Sequence, residues 1–328
     1  MRAVITGASG LLGGNLAAVL VEQGHSVAAT RRAGSRVGHL DGLPITWLEA
    51  DLSDTGALAR AFAGADAVFH CAALVSNRPR PTPELVAANV DGTANVLQAV
   101  RSSGARLLYC SSAVTIGVSE DGQPCTEASR WNLPEHGLAD GYSVTKKQAE
   151  ERVQAAAQDG LDAVIVCPTY MFGPYDSKPS SGKMLVELAH GRMPFYSSGR
   201  NNFVGAADVA RGMVLALERG RRGGRYLLGG DNLTYKELFD RAAALAGARP
   251  PRIAAPRALA RLLGWAGDLQ DWATGKEPLI NTASVAWGYC DTFQSDSGKA
   301  RAELGYAPGP LDDAIRAAYA WFRGQGMI

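Results

Sequence analysis

The stretch Val4–Gly13, VITGASGLLG, decides the fold. A short apolar run ends in three glycines, Gly7, Gly10 and Gly13, at GxxGxxG spacing, and an amphipathic run, Leu11–Gln23, follows at once. Glycines here let the backbone turn tightly and approach a pyrophosphate, while the start of the helix offers unpaired N–H groups and a positive dipole. Leu11 and Leu12 sit in the same cofactor-facing turn. A glycine triplet alone says little; after a strand and before a helix, at the start of the chain, it points to dinucleotide binding.

Outward from this turn, short apolar runs alternate with amphipathic ones. Strands are predicted at Ala3–Thr6, Ser26–Thr30, Ile45–Glu49, Ala67–His70, Arg106–Cys110 and Ala163–Cys167, with helices at Leu11–Gln23, Asp54–Phe62, Pro83–Ser102 and Tyr142–Gln158. Continuous apolar strands suit a parallel sheet covered on both faces, and the alternation predicts right-handed βαβ units. The expected fold class is therefore α/β, a Rossmann doubly wound parallel sheet with a smaller mixed C-terminal substrate lobe. Residues 1–167 would form the dinucleotide-binding core and 168–328 mostly the substrate lobe, with 203–220 returning to the core. Beyond Pro168 the reading gives helices at Lys183–His190, Asp208–Arg219, Thr234–Ala246 and Leu311–Gly324 and a strand at Arg225–Leu228.

The 328 residues are 46% hydrophobic and 20% charged, ordinary globular usage. Lys+Arg 33 against Asp+Glu 32 leaves a net charge of +1, which makes no electrostatic case for nucleic acid or an anionic membrane. No apolar stretch is long enough to span a bilayer, and no leader-like apolar segment opens the chain, so a cytoplasmic protein is expected. Five cysteines, Cys71, Cys110, Cys125, Cys167 and Cys290, include no CxxC pair, which argues against a metal site or disulfide framework.

The end of the second strand bears on the choice of dinucleotide. NAD sites place an acidic residue there, roughly 20 residues past the glycines, to accept from the ribose 2′-hydroxyl. This chain has Arg31 and Arg32, with Arg36 close by. A carboxylate would repel a 2′-phosphate, whereas guanidinium forks match it. The expected cofactor is NADP, with NADPH preferred over NADH.

Tyr142 and Lys146, in YSVTK, lie four apart and so share a helix face. A lysine there can stabilise a tyrosinate and lower the tyrosine pKa toward a working value. Ser111 and Ser112 close the fifth strand, and a serine hydroxyl across the site can hold a substrate oxygen as its charge changes.

With these motifs in place, the chain resembles an extended short-chain dehydrogenase/reductase over nearly its whole length. TGASGLLG, EADLSD, VFHCAA, NVDGT, the SSA and YSVTK pair, PTYMFGP, AADVARGMVLAL, YLLGGDNLTYKEL and KARAELGYAP carry the similarity. The resemblance implies Tyr142 as general acid/base, Lys146 as its electrostatic partner and ribose anchor, and Ser112 as donor to the substrate oxygen, with Ser111 the fallback. It implies Asp51 and Leu52 beside the adenine, Ala72 and Ala73 along the dinucleotide, and Pro168 and Met171 near the nicotinamide. Asn89 fits the family's structural asparagine. His70 reads as a satisfied core histidine, His136 as a loop residue without a partner, and Asp208 as an N-cap or first-turn acid.

The same Ser-Tyr-Lys set serves ketoreductases, sugar-nucleotide epimerases and dehydratases, so the reaction must be read from the substrate lobe. Where epimerases and dehydratases often hold a diphosphate with arginine, this chain has Asn201, with Arg200 one residue away. Pro168–Pro174 is apolar and aromatic and, with Leu74, Val75, Tyr170 and Trp131, could line a dry site for a ring-bearing ketone; the same aromatics could be core. The second half is most similar to the dihydroflavonol-reductase and 3β-hydroxysteroid-dehydrogenase branch. The resulting expectation is NADPH-dependent reduction of a ketone on a small cyclic or aromatic molecule. An NDP-sugar epimerase or dehydratase holding its NAD(P) tightly is the alternative, and a catalytically silent NADP-binding regulator the second. Helices Pro83–Ser102 and Tyr142–Gln158 form dimer interfaces in many relatives, so a homodimer is compatible with the resemblance.

Overall fold

The computed structural model describes all 328 residues. In the first half, strands β1 (Arg2–Thr6), β2 (Ser26–Arg31), β3 (Ile45–Glu49), β4 (Ala67–His70), β5 (Arg106–Cys110) and β6 (Ala163–Pro168) alternate with helices. The helices are α1 (Leu11–Glu22), α2 (Thr55–Phe62), α3 (Pro83–Val86), α4 (Gly92–Ser103) and α5 (Gly141–Gln158). The chain continues through β7 (Tyr170–Phe172), α6 (Lys183–Ala189), β8 (Phe195–Tyr196), β9 (Arg200–Gly205), α7 (Ala206–Arg219), β10 (Arg225–Leu228) and β11 (Asp231–Thr234). It ends with α8 (Tyr235–Ala246), β12 (Ile253–Ala254), α9 (Arg257–Thr274), α10 (Thr282–Gly288), α11 (Gly298–Leu304) and α12 (Leu311–Gly324).

Seven parallel strands form the central sheet in the order β10-β6-β5-β4-β1-β2-β3. Each strand alternates its side chains between two apolar layers, which is why the runs read as continuous rather than alternating. Ala3 and Ile5 of β1 join Leu12, Leu16 and Leu20 of α1 and Val209, Ala210 and Met213 of α7 in one layer. Val4 joins Leu58 of α2, Val96 of α4 and Val153 of α5 in the other. The expected Rossmann α/β fold is thus present, and the predicted first-half strands match to within a residue.

A separate apolar cluster lies outside the sheet, built from Phe172, Phe203, Leu238, Phe239, Ile315 and Phe322. β11, β9 and β7 form a small mixed sheet beside it. The predicted helix Pro83–Ser102 is interrupted by one wide turn at Ala87–Asp91. Asn89 lies in that turn and makes two hydrogen bonds to the Leu74 backbone and one to Thr145. It thereby ties the loop after β4 to α5, the structural role the resemblance implied. Helices α9, α10 and α11 were not foreseen.

Candidate active site

The dinucleotide cleft begins where β1 turns into α1. Gly7 has φ +78°, and a Cβ there would stand 2.6 Å from the backbone of Ala72 at the end of β4. Glycine therefore lets the first turn pack directly on the neighbouring strand end. Gly10 is the N-cap of α1 and supplies no side chain to the first-turn N–H groups, which leaves them available to an anion. A cleft of about 560 Å³ opens from this turn, bounded by Ser9, Gly10, Leu11, Arg32, Arg36, Asp176, Lys178 and Ser180.

Cations dominate the mouth of this cleft. Its one carboxylate, Asp176, is buried and accepts from the Gly182 N–H at 2.9 Å and the Ser180 N–H at 3.2 Å. Burial raises its pKa above the usual carboxylate range, and those N–H donors offset only part of the rise. Arg31 departs from expectation. Its guanidinium stands 6.0 Å above the Trp47 ring on β3, and Arg36, named only as a neighbour in the sequence reading, lines the cleft beside Arg32. The reason is register: Arg31 pairs with Glu49 at the edge of the sheet, whereas Arg32 and Arg36 lie on the loop that follows. Lys178 gave no sequence signal, because it arrives from a loop far along the chain.

Asp51 lies beyond β3 and is held by the Ser53 N–H at 2.8 Å and hydroxyl at 2.7 Å, which hold its carboxyl below the usual range together with the Arg32 charge. The Leu52 carbonyl accepts from Asn95 at 2.8 Å. Ala72 and Ala73 extend from β4 past the glycine turn. An uncapped helix start, flanking cations and strand-end backbone within one cleft fit an anionic dinucleotide.

The second group of residues sits at the ends of β5 and α5. Asp140 caps α5, accepting from the Ser143 N–H at 2.7 Å, and also accepts from Trp287 Nε1 of α10 at 2.8 Å. This fixes the first turn of α5, from which half-buried Tyr142 projects. Lys146, one turn on, is buried; its Nζ donates to the Cys110 carbonyl at 2.7 Å and lies 4.6 Å from the Tyr109 ring centre. Burial raises the Tyr142 pKa above its ordinary value, while the Lys146 charge and the Ser112 hydroxyl act in the opposite direction. The expected lowering by Lys146 is thus present as a counterweight, and burial outweighs it in the protein alone.

The two serines separate cleanly. Ser111 Oγ is buried and donates to Glu150, beside Thr115 Oγ1, which donates to the same carboxylate at 2.7 Å. Glu150 is fully buried and paired with Arg225 at 2.9 Å. Ser112 is half-buried and caps the short turn Ala113–Thr115. Ser112 therefore remains for the site, and Ser111 belongs to a buried polar network behind it. Sequence reasoning passed over Glu150, yet Tyr142, Lys146 and Glu150 repeat at a spacing of four on one helix.

Tyr170 is more engaged than expected. Its ring packs against Phe172 and Phe203, and its hydroxyl donates to the Ser181 carbonyl at 3.2 Å. Trp131 likewise donates to the Val114 carbonyl at 3.0 Å and packs on a small cluster around Leu133. Val75 stands 61% exposed and Leu74 41% exposed on the Asn89-anchored loop. Pro168 ends β6 in full burial, and Met171 packs partly against the α1 layer. Asn201, at the position where a diphosphate-binding arginine would stand, is buried with its Nδ2 3.4 Å from the Tyr235 hydroxyl. His70 lies between Thr6 at 2.7 Å and Thr93 at 3.1 Å, and burial drives its pKa down to about 3, the behaviour of a neutral core histidine. His136 meets Glu120 at 3.4 Å on the surface, and Asp208 in the first turn of α7 pairs with Arg211. All five cysteines are free, no group of side chains could hold a metal ion, and no helix is long and apolar enough to cross a membrane.

Sheet order and glycine turn together define a Rossmann-like dinucleotide-binding protein. The chain belongs to the NAD dependent epimerase/dehydratase family, whose pattern matches residues 3–229. It is 33% identical to sterol demethylase protein B of Methylococcus capsulatus over the whole of both chains. It is 32% identical to the 4-hydroxy-2-methyl-3-oxo-4-farnesyl-3,4-dihydroquinoline-1-oxide ketoreductase of Stigmatella aurantiaca, covering 94% of this chain and 92% of that one. Among solved structures, a nucleoside-diphosphate-sugar epimerase from Pseudomonas aeruginosa superposes with a TM-score of 0.83 at 30% identity, covering 100% of this chain and 99% of the other. The protein is accordingly an oxidoreductase of the extended short-chain dehydrogenase/reductase group, using a nicotinamide cofactor.

Proposed function

We propose that the protein is an NADPH-dependent carbonyl reductase acting on a ketone of a small, apolar, cyclic or aromatic molecule. The observation that carries this reading is Tyr142, half-buried and influenced by both Ser112 and Lys146, on a helix packed beside the glycine-turn sheet. NADPH bound in the cleft would supply the hydride. Ser112 Oγ donates a hydrogen bond to the carbonyl oxygen and so favours the charge that develops there. Tyr142 passes its phenolic proton to that oxygen, and the nearby Lys146 ammonium stabilises the tyrosinate left behind. Lys146 can play this part because the Cys110 carbonyl holds it in place.

Cofactor choice rests on Arg32 and Arg36, joined by Lys178, in a cleft whose only carboxylate is already taken by backbone donors. Arg31 supports the same charge from the sheet edge. The remaining cofactor contacts fall to Gly7, Gly10, Leu11, Leu12, Gly13, Asp51, Leu52, Ala72, Ala73, Pro168 and Met171. Val75 and the ring of Tyr170 are assigned to the substrate side. Residues 1–167 with 203–220 form the cofactor lobe in this reading, and most of 168–328 the substrate lobe. The two relatives whose names mention a sterol and a farnesyl-quinoline ketone favour an apolar substrate.

Sugar-nucleotide epimerisation is the second reading, favoured by the Pseudomonas aeruginosa structure. The buried Asn201 side chain, turned to Tyr235, speaks against a diphosphate clamp at that position. A silent regulator would have no need of the acid/base group. The test is Tyr142→Phe: turnover falls by about 100- to 10,000-fold while NADPH binding stays nearly intact. Ordinary turnover in that variant overturns the mechanism.

A further inference from the structure

The apolar surface of this protein is concentrated in one place. Of the thirteen large hydrophobic residues that stand exposed, eight lie between Leu259 and Ile280, on α9 and the loop after it. α9 is amphipathic in the reverse of the usual sense. It packs inward through Gly264 and Gly267, whose missing side chains admit the backbone of Ile280 and Asn281. Both acids of the helix also turn inward: Asp268 accepts from the Thr282 hydroxyl at 2.6 Å and Asp271 from Arg78 at 2.7 Å. Leu259, Leu262, Trp265, Leu269 and Trp272 recur at spacings of three and four and make up the outward face. Trp265 is 73% exposed and Trp272 84%. Leu279 and Ile280 extend the same patch.

Cations outnumber acids around the patch, and its exposed acid, Glu277, already accepts from Ser76 and Asn77. Arg249, Arg252, Arg257, Arg261 and Lys276 are exposed or half-exposed near it, and none of them forms an ion pair. Tryptophan and leucine on one side of a helix, with unpaired arginines flanking it, match the boundary between the headgroups and acyl chains of an anionic bilayer. A second copy of this chain would bring the same unpaired arginines toward one another, while Glu277 is already engaged by Ser76 and Asn77. The overall charge of +1 conceals this local asymmetry. We propose that the outward face of α9, with Leu279 and Ile280, docks the protein on the surface of an anionic phospholipid bilayer. The helix lies in the interface and does not cross it, in keeping with its four charged residues.

Docking there is mechanically connected to the site. Ser76 and the Asn77 N–H donate to Glu277, Asn281 donates to the Asn77 carbonyl, and Trp287 donates to Asp140 at the start of α5. The hairpin of α9 and α10 is thus fastened both to the loop that carries Leu74 and Val75 and to the helix that carries Tyr142. The docking surface itself stands independently of the reductase reading.

The test is flotation of the full-length protein with phosphatidylcholine vesicles, with and without phosphatidylglycerol. The protein is expected to float with the phosphatidylglycerol vesicles and to be released by salt. Trp265→Ser/Trp272→Ser should lower that binding by about tenfold or more. Arg257→Gln/Arg261→Gln should weaken it only where phosphatidylglycerol is present. Leu262→Gln/Leu269→Gln provides a second apolar variant, and the comparison of lipid compositions needs no variant at all. Absence of flotation overturns the proposal, as does flotation indifferent to the tryptophan pair. Self-association that the tryptophan pair abolishes, without vesicle binding, would assign the face to a second copy instead.

Discussion

Replacing Arg32 and Arg36 by alanine separates a 2′-phosphate site from a generic dinucleotide cleft. Both arginines line the opening with Gly10 and Lys178, and the one carboxylate there, Asp176, already accepts from backbone N–H donors. A hydrogen bond to a charged group is worth about 1.5–3 kcal/mol, or roughly 10- to 100-fold in affinity. Both side chains are solvent-exposed, so screening places each near the lower end of that range. Each single variant should therefore raise the NADPH dissociation constant about tenfold, and the pair about 100-fold if the two act independently. NADH, which lacks the phosphate, should bind nearly as before. Arg31→Ala should have the smaller effect, because Arg31 stands over Trp47 and does not line the cleft. Titration of both nucleotides by calorimetry at low and moderate salt reads all of this directly. Equal losses for NADPH and NADH, or a dominant effect of Arg31, would refute the assignment.

Glu150→Ala should destabilise the fold by about 3 kcal/mol, because it deprives the largely buried Arg225 of its carboxylate and removes the acceptor of Ser111 and Thr115. Denaturant melts check this, and a change below about 1 kcal/mol would deny the network its structural role. His70 is neutral in the fold with a pKa of about 3, so the unfolded chain binds the extra proton. Its contribution to stability is complete above its unfolded value of about 6.5 and is lost progressively as pH falls toward the folded value. Between about pH 7.5 and pH 5 that amounts to about 2 kcal/mol, and His70→Gln should flatten this part of the stability profile. An unchanged profile in the variant would place the acid sensitivity elsewhere.

Much of this architecture is written locally. β5 and β6 read as continuous apolar runs because both of their faces are covered, and α5 reads as a helix with Tyr142 and Lys146 on one side. The glycine turn is legible because only glycine allows β1 to turn against Ala72. What the sequence hid depends on distant partners. Arg31 and Arg36 exchange prominence because of the pairing between β2 and β3. The Tyr170 hydroxyl is committed to Ser181, and Lys178 enters the cleft from a loop well over a hundred residues past the glycine turn. The wide turn at Ala87–Asp91 places Asn89 against Leu74, a contact that a straight helix from Pro83 to Ser102 does not suggest. α9 escaped notice because its small residues face inward and its large apolar ones face out.

In the proposed reaction α1 presents its start to an anion, the turn after β5 supplies Ser112, and α5 supplies Tyr142 and Lys146. The most direct test of the central claim follows nicotinamide absorbance as the purified protein and NADPH meet a panel of apolar cyclic and aromatic ketones. The account predicts consumption of one NADPH per ketone reduced, abolished in Tyr142→Phe. No consumption with any of these ketones, together with interconversion of a sugar nucleotide at constant absorbance, would contradict it.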